Sequence, residues 1–443
     1  MKTYKYLLEF SNKDKGFSLG IINERKEVND TKILDLYFLL LNTAKELAQK
    51  HSLELTTTSS TSKEAQEVKD IVEYAYKDGS FNEERFRRHL EWLFTKNRIP
   101  TFLIRLRTLL PFDELVGREN LILEILELLK ERHISLRAPR CYGKTSILNA
   151  IFERPPQPYQ PLFIQARNLQ DVRAFLGAIG YEIKKGNSLE RQKQREEIEK
   201  TSKEGLESIL PSLFPQDKHY LLLVDEFAEF LRNLKNNNEP LNFDRFFNLS
   251  NIRFITASSE AEDRIAGQTL SNFEKIDLPL LERQDANLLL EELAYNSQII
   301  PKKGEIEEIC NLLETYVPYF IHIFVYVWNE VYREKKDVCP EEIYERLIGK
   351  EGWNLLRDFQ DLPRRYPGRL SSAGYAMLSE MAKEEIEKGM AKKIFKEKTG
   401  LEQEEFENMI QWLIDDLLIE EKNGKYSFKS KLLRDFWRRF PAK

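Results

Sequence analysis

The stretch APRCYGKTS at residues 138–146 constrains this chain more than any other. It follows a short apolar run, HISL at 133–136, and it opens a helical pattern at 145–151. A phosphate chain needs several converging N–H donors, and a loop wrapped just before a helix N-terminus supplies them. In that strand–loop–helix context Gly143 lets the backbone approach closely. Lys144 is expected to bridge the β- and γ-phosphates, and the Thr145 hydroxyl to ligate Mg²⁺. Pro139, Arg140, Cys141, Tyr142 and Ser146 complete the expected nucleotide-contacting loop. Ala138 stands where the usual pattern begins with Gly; its single methyl predicts a slightly altered loop that still binds. Arg140 either faces phosphate or pairs with a local acid. Cys141 is a space-filler unless it is exposed and ionised. The bland alternative is a chance Gly-Lys-Thr at an ordinary helix start.

Two later strands extend the pattern. LLLVDEF at 221–227 is a continuous apolar run that delivers two acids at its end. Asp225 is expected in the Mg²⁺ shell and Glu226 to polarise an attacking water. The competing reading is an acidic strand end with no further role. IRFITASSE at 252–260 ends in two serines; Ser258 is the preferred contact to the γ-phosphate or the water, although serines after strands are commonly turn formers. Together with PLFIQA at 161–166, these unbroken apolar runs separated by helices predict a parallel sheet buried on both faces: an α/β P-loop NTPase core.

The chain of 443 residues is too long for one core, and its pattern divides into four parts. Residues 1–110 read as an α+β domain of unassigned role. In it, runs at 4–10 and 17–22 form a hairpin, and helices span 33–53, 65–76 and 82–94; the polar tract TTTSSTSKE at 56–64 is a loop by composition. Residues 111–279 form the α/β part, with a charge run at 184–204 as a solvated helix or insertion. Residues 280–360 are helical throughout. Residues 365–443 give helix, short helix, long helix (402–418), a hairpin turning at Asn423-Gly424, and a last helix: the order of a winged helix-turn-helix. Three scattered cysteines without metal spacing fit a reducing compartment, and no apolar run reaches membrane-spanning length, so a cytoplasmic protein without a membrane partner is expected. The five histidines form no metal-spaced cluster.

These residues together resemble the STAND-class and archaeal-type P-loop ATPases, relatives of AAA+ and of the origin-recognition ATPases. The resemblance runs from about residue 115 to the C-terminus. VGRENLILEILELL at 116–129 looks like the family's opening box, which implies that Val116, Gly117 and Arg118 lie near the adenine. IDLPLLERQDANLLL at 276–290 resembles the start of a helical lid. YVPYFIHIF at 316–324 is similar to the segment bearing a Gly-x-Pro signature; Pro318 matches, and Tyr316 replaces the glycine. The resemblance implies ATP and Mg²⁺ held between core and lid, ATPase activity, and a switch set by the γ-phosphate. Arg253, Arg264 and Arg283 are candidates for a trans-acting arginine, with no basis for choosing among them.

A winged helix raises the question of DNA. The helix that enters a groove in such folds begins here LEQEEFENM, so Glu402, Glu404, Glu405 and Glu407 oppose phosphates. Lysines cluster instead on the preceding helix (Lys392, Lys393, Lys396, Lys398) and near the wing (Lys425, Lys429, Lys431, with Arg434). The sequence therefore favours a protein partner, through the N-terminal domain or self-association, over DNA. Three readings stand: an ATP-hydrolysing or ATP-sensing regulatory switch, a DNA-associated ATPase such as a loader or a transposition or defence component, and a scaffold that keeps nucleotide as a structural cofactor.

Overall fold

The computed structural model describes residues 5–11, 16–22, 46, 49, 54–58, 83–96, 101–106, 109–184, 213–238, 244–259, 262, 265, 270, 272–335, 337–366, 368–416 and 418–441. The chain separates into two compact units, Met1–Phe102 and Leu103–Lys443. The helix expected at 65–76, nearly all of those at 33–53 and 184–204, and Arg264 lie outside the described residues.

In the first unit, β1 (Lys5–Ser11) pairs antiparallel with β2 (Gly16–Ile22), as the two apolar runs predict. The other edge of β1 takes β3 (Glu54–Thr58), with Leu7 opposite Thr58 and Phe10 opposite Leu55. This corrects the loop assigned to the threonine tract: Thr56, Thr57 and Thr58 are strand. Threonine is β-branched, and its stiff side chain suits a pleated edge whatever its polarity. Helix α1 (Glu83–Lys96) buries Arg85, Phe86 and His89, and Trp92 packs on Phe102 at 5.1 Å between ring centroids.

The second unit is built on a five-stranded parallel sheet: β4 (His133–Arg137), β5 (Tyr159–Gln165), β6 (His219–Asp225), β7 (Ile252–Ser258) and β8 (Phe273–Asp277). Its spatial order is β5-β6-β7-β4-β8. Strands β4 and β6, which carry the phosphate loop and the acid pair, are thus separated by β7. Tyr220 to Val224 are all buried, which is why β6 reads as an unbroken apolar run. Flanking helices are α2 (Glu119–Leu128), α3 (Lys144–Glu153), α4 (Val172–Ile183) and α5 (Phe227–Asn236). The Asp171 carboxylate caps α4 by accepting from the Ala174 N–H at 2.7 Å. Under one face lies an aromatic cluster in which Phe254 meets Phe246, Phe247 and His133 at 5.1 to 5.3 Å. Sequence reading did not find β8. Its FEKID pattern alternates buried and open positions at a sheet edge instead of forming an apolar run.

The helical part comprises α6 (Arg283–Asn296), α7 (Glu305–Leu313), α8 (Pro318–Glu334), α9 (Pro340–Leu347) and α10 (Trp353–Gln360). Pro318 and Pro340 occupy first-turn positions, where the missing N–H costs nothing. Then follow α11 (Arg369–Met381), β9 (Ile386–Glu387), α12 (Lys388–Thr399), α13 (Gln403–Asp415), the hairpin β10 (Ile419–Lys422) and β11 (Lys425–Phe428), and α14 (Lys431–Arg439). This is the order of a winged helix-turn-helix, with β9 completing a small sheet on β11. Asn423 and Gly424 both take positive φ, 52° and 75°, as a tight hairpin turn requires. The C-terminal part is fastened to the lid. Tyr344 donates to the Asp435 carboxylate at 3.0 Å, Thr315 donates to the Lys429 carbonyl at 3.0 Å, and Lys431 pairs with Glu314 at 3.5 Å.

Residues 103–110, assigned from the sequence to the N-terminal domain, belong to the second unit. The Leu110 N–H donates to the Ser146 hydroxyl at 3.4 Å, and Arg105 makes two 2.8 Å bonds to the buried Glu114 carboxylate.

Candidate functional site

The phosphate loop leaves β4 and closes on α3. Two of its residues sit in the left-handed region, Cys141 (φ 69°) and Gly143 (φ 92°), while Ala138 does not. A methyl at the first position is therefore compatible with the turn, and an exposed cysteine carries the bend that glycine would make easier. The Lys144 side chain is buried and donates to the carbonyls of Ala138 and Pro139 at 2.6 and 2.8 Å. Burial lowers its pKa to about 8 against the opposing pull of Glu226 and Asp225.

Across from the loop, at the end of β6, the Thr145 hydroxyl donates to Asp225 Oδ2 at 3.0 Å. The Gln165 amide, at the end of neighbouring β5, donates to the same oxygen at 3.1 Å. Asp225 Oδ1 is buried and has no hydrogen-bond partner among the described residues. Burial, and then the neighbouring Glu226, push the Asp225 carboxyl above the usual carboxylate range. A buried carboxylate oxygen without a partner beside a threonine hydroxyl is a hard oxygen donor set that suits Mg²⁺ completed by phosphate and water. Among the described residues no group of three or more His, Cys, Asp and Glu side chains could hold a metal by itself. Glu226 follows with φ 55°, an uncommon conformation for a side-chain-bearing residue, at the N-cap of α5.

The two serines divide differently from expectation. Ser258 is fully buried; its hydroxyl donates to the Glu262 carboxylate at 2.5 Å and accepts from the Ala228 N–H at 3.0 Å. It does not line the cleft. Ser259 is the serine beside the acid pair, with its hydroxyl 3.5 Å from Glu226 Oε2. Ser258 is the last residue of β7, and the chain bends at Ser259, which turns its hydroxyl toward the acid pair.

These groups open onto a cleft of ≈ 700 Å³. Of the residues predicted from sequence, its walls include Arg140, Cys141, Gly143, Lys144, Thr145 and Ser146 from the loop, Asp225 and Glu226 from β6, and Pro318 from the lid. Val116, Gly117, Arg118, Pro139 and Tyr142 are not among its lining residues. Gly117 instead abuts the lid: a Cβ there would stand 2.3 Å from Asp285 Oδ2. Arg118 is buried beside Tyr142 and Asp285, and burial lowers its pKa while Asp285 opposes. Sequence reasoning missed Arg105, Leu109 and Leu110, and also Gln165, Tyr319 and His322. Only Gln165 left a signal, as the polar residue closing an apolar strand.

A phosphate loop on β4, an acid pair on a strand one removed from it, and α8 contributing to the lining of the same cleft define an α/β P-loop NTPase fold. No family model matches the sequence, and no curated protein matches it. Among solved structures the chain is similar to the Walker-type ATPase PABY2304 of Pyrococcus abyssi, with TM-score 0.58 and 16% identity over 76% of this chain and 99% of that one. Looser likenesses include the Aeropyrum pernix ORC2 protein, with TM-score 0.39 and 13% identity over 77% of this chain and 98% of that one. The Thermotoga maritima RuvB Holliday junction branch migration motor gives 0.37 and 12% over 71% and 92%. The first likeness is one of fold; the other two superpose too loosely to add to it. Among the described residues no helix is long and apolar enough to cross a membrane.

Proposed function

We propose that this protein binds and hydrolyses ATP as a regulatory switch of the STAND type, with nucleotide held between the α/β core and the lid. The observation that carries the reading is the 3.0 Å bond from the Thr145 hydroxyl to Asp225, which joins the phosphate loop to the acid pair. Lys144 and the loop N–H groups bind the β- and γ-phosphates. Thr145 and Asp225 would hold Mg²⁺, which when bound neutralises phosphate charge. Glu226 orients the water and takes its proton as the water oxygen bonds to the γ-phosphorus and the bond to the β–γ bridging oxygen breaks, with ADP as the leaving group. Residues 1–102 serve as the effector, sensor or partner-docking part, and the lid and winged helix report occupancy of the cleft.

The test is Mg-ATP binding and turnover by the wild type, Lys144→Ala and Glu226→Gln. The reading expects Lys144→Ala to lose binding and Glu226→Gln to bind but turn over at least ~100-fold more slowly, as for removal of a general base. Wild type that binds no Mg-ATP would sink it. Tightly retained ADP without turnover would move the protein to the scaffold reading.

A DNA-associated role has one observation in its favour: Lys393, Lys396 and Lys398 on α12 and Lys422 and Lys425 at the wing are exposed. Against it, Glu402, Glu404 and Glu407 are exposed at the start of α13, and Lys431 is engaged with Glu314 of the lid. A protein partner is therefore the favoured reading. A shift assay at low salt with ATP present decides: no detectable affinity for duplex DNA removes the DNA role.

A further inference from the structure

The cleft lining has an apolar component, made by Leu109 and Leu110 and by Pro318 and Tyr319 of α8. The Tyr319 hydroxyl already donates to the Leu355 carbonyl at 3.0 Å, so the ring is what this residue offers. His322 interrupts the wall one turn further along α8, and it is only 4% exposed. Its Nδ1 lies 3.2 Å from the backbone nitrogen of Arg105. That N–H can only donate, so Nδ1 accepts and carries no proton. A neutral imidazole then has its hydrogen on Nε2, and Nε2 is buried with no hydrogen-bond partner among the described residues. Burial, with the nearby Arg105 charge, holds the ring pKa down at about 4, which keeps it neutral at ordinary pH. The tautomer is fixed from outside the lid, because the Arg105 guanidinium is tied to Glu114 by two 2.8 Å bonds.

The cleft wall thus carries, just beneath its surface, a neutral N–H donor without a partner among the described residues. Phosphate is served elsewhere, by Lys144 with Arg140 beside it in the loop. A lone uncharged donor beside apolar side chains suits an uncharged acceptor. We propose that His322 reads the nucleoside part of the bound nucleotide, its Nε2–H donating to a purine ring nitrogen or a ribose oxygen. This rests on the nucleotide-binding reading above and adds to it a residue that distinguishes ATP from bare phosphate chains.

The test is calorimetric titration of the full chain with Mg²⁺ and, in separate arms, ATP, inorganic triphosphate, 1-deaza-ATP, 3-deaza-ATP, 7-deaza-ATP, 2′-deoxy-ATP and 3′-deoxy-ATP. In the wild type, one of the analogues should bind roughly tenfold more weakly than ATP, the scale of one lost hydrogen bond. That analogue separates the ring-nitrogen source from the ribose source. His322→Phe should weaken ATP by a similar factor, erase the preference among analogues, and leave triphosphate within about twofold of wild type, which also checks that the cleft is folded. If every analogue matches ATP in the wild type, the proposal falls without reference to any variant. It falls too if His322→Phe weakens triphosphate as much as ATP. Wild type that binds triphosphate with no preference for ATP removes this proposal alone. Wild type that binds neither removes the nucleotide reading and this proposal with it.

Discussion

Nucleotide binding by this cleft should take up a proton at alkaline pH, and Lys144 sets the amount. Burial holds its ammonium at about 8, against 10.5 for a free lysine. The charged form is the one the fold penalises. The penalty is complete below pH about 8, where the group is charged both folded and unfolded. It is gone above pH about 10.5, where it is neutral in both. Across that window stability should therefore rise with pH, by about 3 kcal/mol in total. A triphosphate beside Lys144 restores the charged form, so binding must draw a proton from solvent. Taking the bound value as the ordinary one, uptake is about 0.9 proton per nucleotide at pH 9 and about 0.1 at pH 7. Affinity should then be roughly tenfold weaker at pH 9 than at pH 7. Calorimetry of ATP binding in buffers of different ionisation enthalpy, with saturating Mg²⁺, measures the uptake directly. The Cys141→Ser variant should be run alongside, since that exposed thiol is a second ionisable side chain in the same loop. Uptake near zero at pH 9 in Cys141→Ser, or affinity that rises from pH 7 to pH 9, would refute the reasoning.

Other outcomes follow from the same geometry. Gly117→Ala should destabilise the second unit by about 2–3 kcal/mol, in part from a left-handed φ and in part from the clash with Asp285. Repeating it in an Asp285→Ala background should recover the clash but not the φ cost; equal costs by denaturant unfolding in both backgrounds would show that the contact is not real. Ser258→Ala should cost about 1–3 kcal/mol by removing one donor from the buried Glu262 carboxylate and the acceptor of the Ala228 N–H. Ser259→Ala should leave the melting temperature nearly unchanged while lowering kcat, and the reverse pattern would restore Ser258 to the site. Phe254→Ala should cost about 3–5 kcal/mol in the same unfolding measurement, because it opens a hole within the aromatic cluster.

The α/β core was legible because its chemistry and its hydrophobicity coincide in sequence. Lys144, Thr145, Asp225 and Glu226 each stand where an apolar run stops, so periodicity and motif identify the same edge of the sheet. The failures share a cause as well. Strand β7 is buried on both faces, and an apolar run of that kind carries no record of which face a following serine will occupy; Ser258 was preferred where Ser259 meets Glu226. Strands β3 and β8 are edge strands with mixed polarity, and their identity depends on the neighbour that pairs with them. His322, Arg105 and Leu110 reach the site through contacts distant in sequence, such as the Arg105–His322 bond, 217 residues apart in the chain, and the Leu110–Ser146 bond, 36 apart. No local pattern records such a meeting. Gly117 shows the reverse case, a familiar box whose residues pack on the lid and not on the cleft wall.

The bonds made by Lys144 have a further consequence. Its three ammonium hydrogens already have two carbonyl oxygens of its own loop to serve. A phosphate that recruits this lysine competes with the main chain, and when it leaves the main chain takes the lysine back. Capture and release are then in part a change of partners: two neutral carbonyls hold the lysine between occupants, and a charged phosphate oxygen offers it the stronger bond.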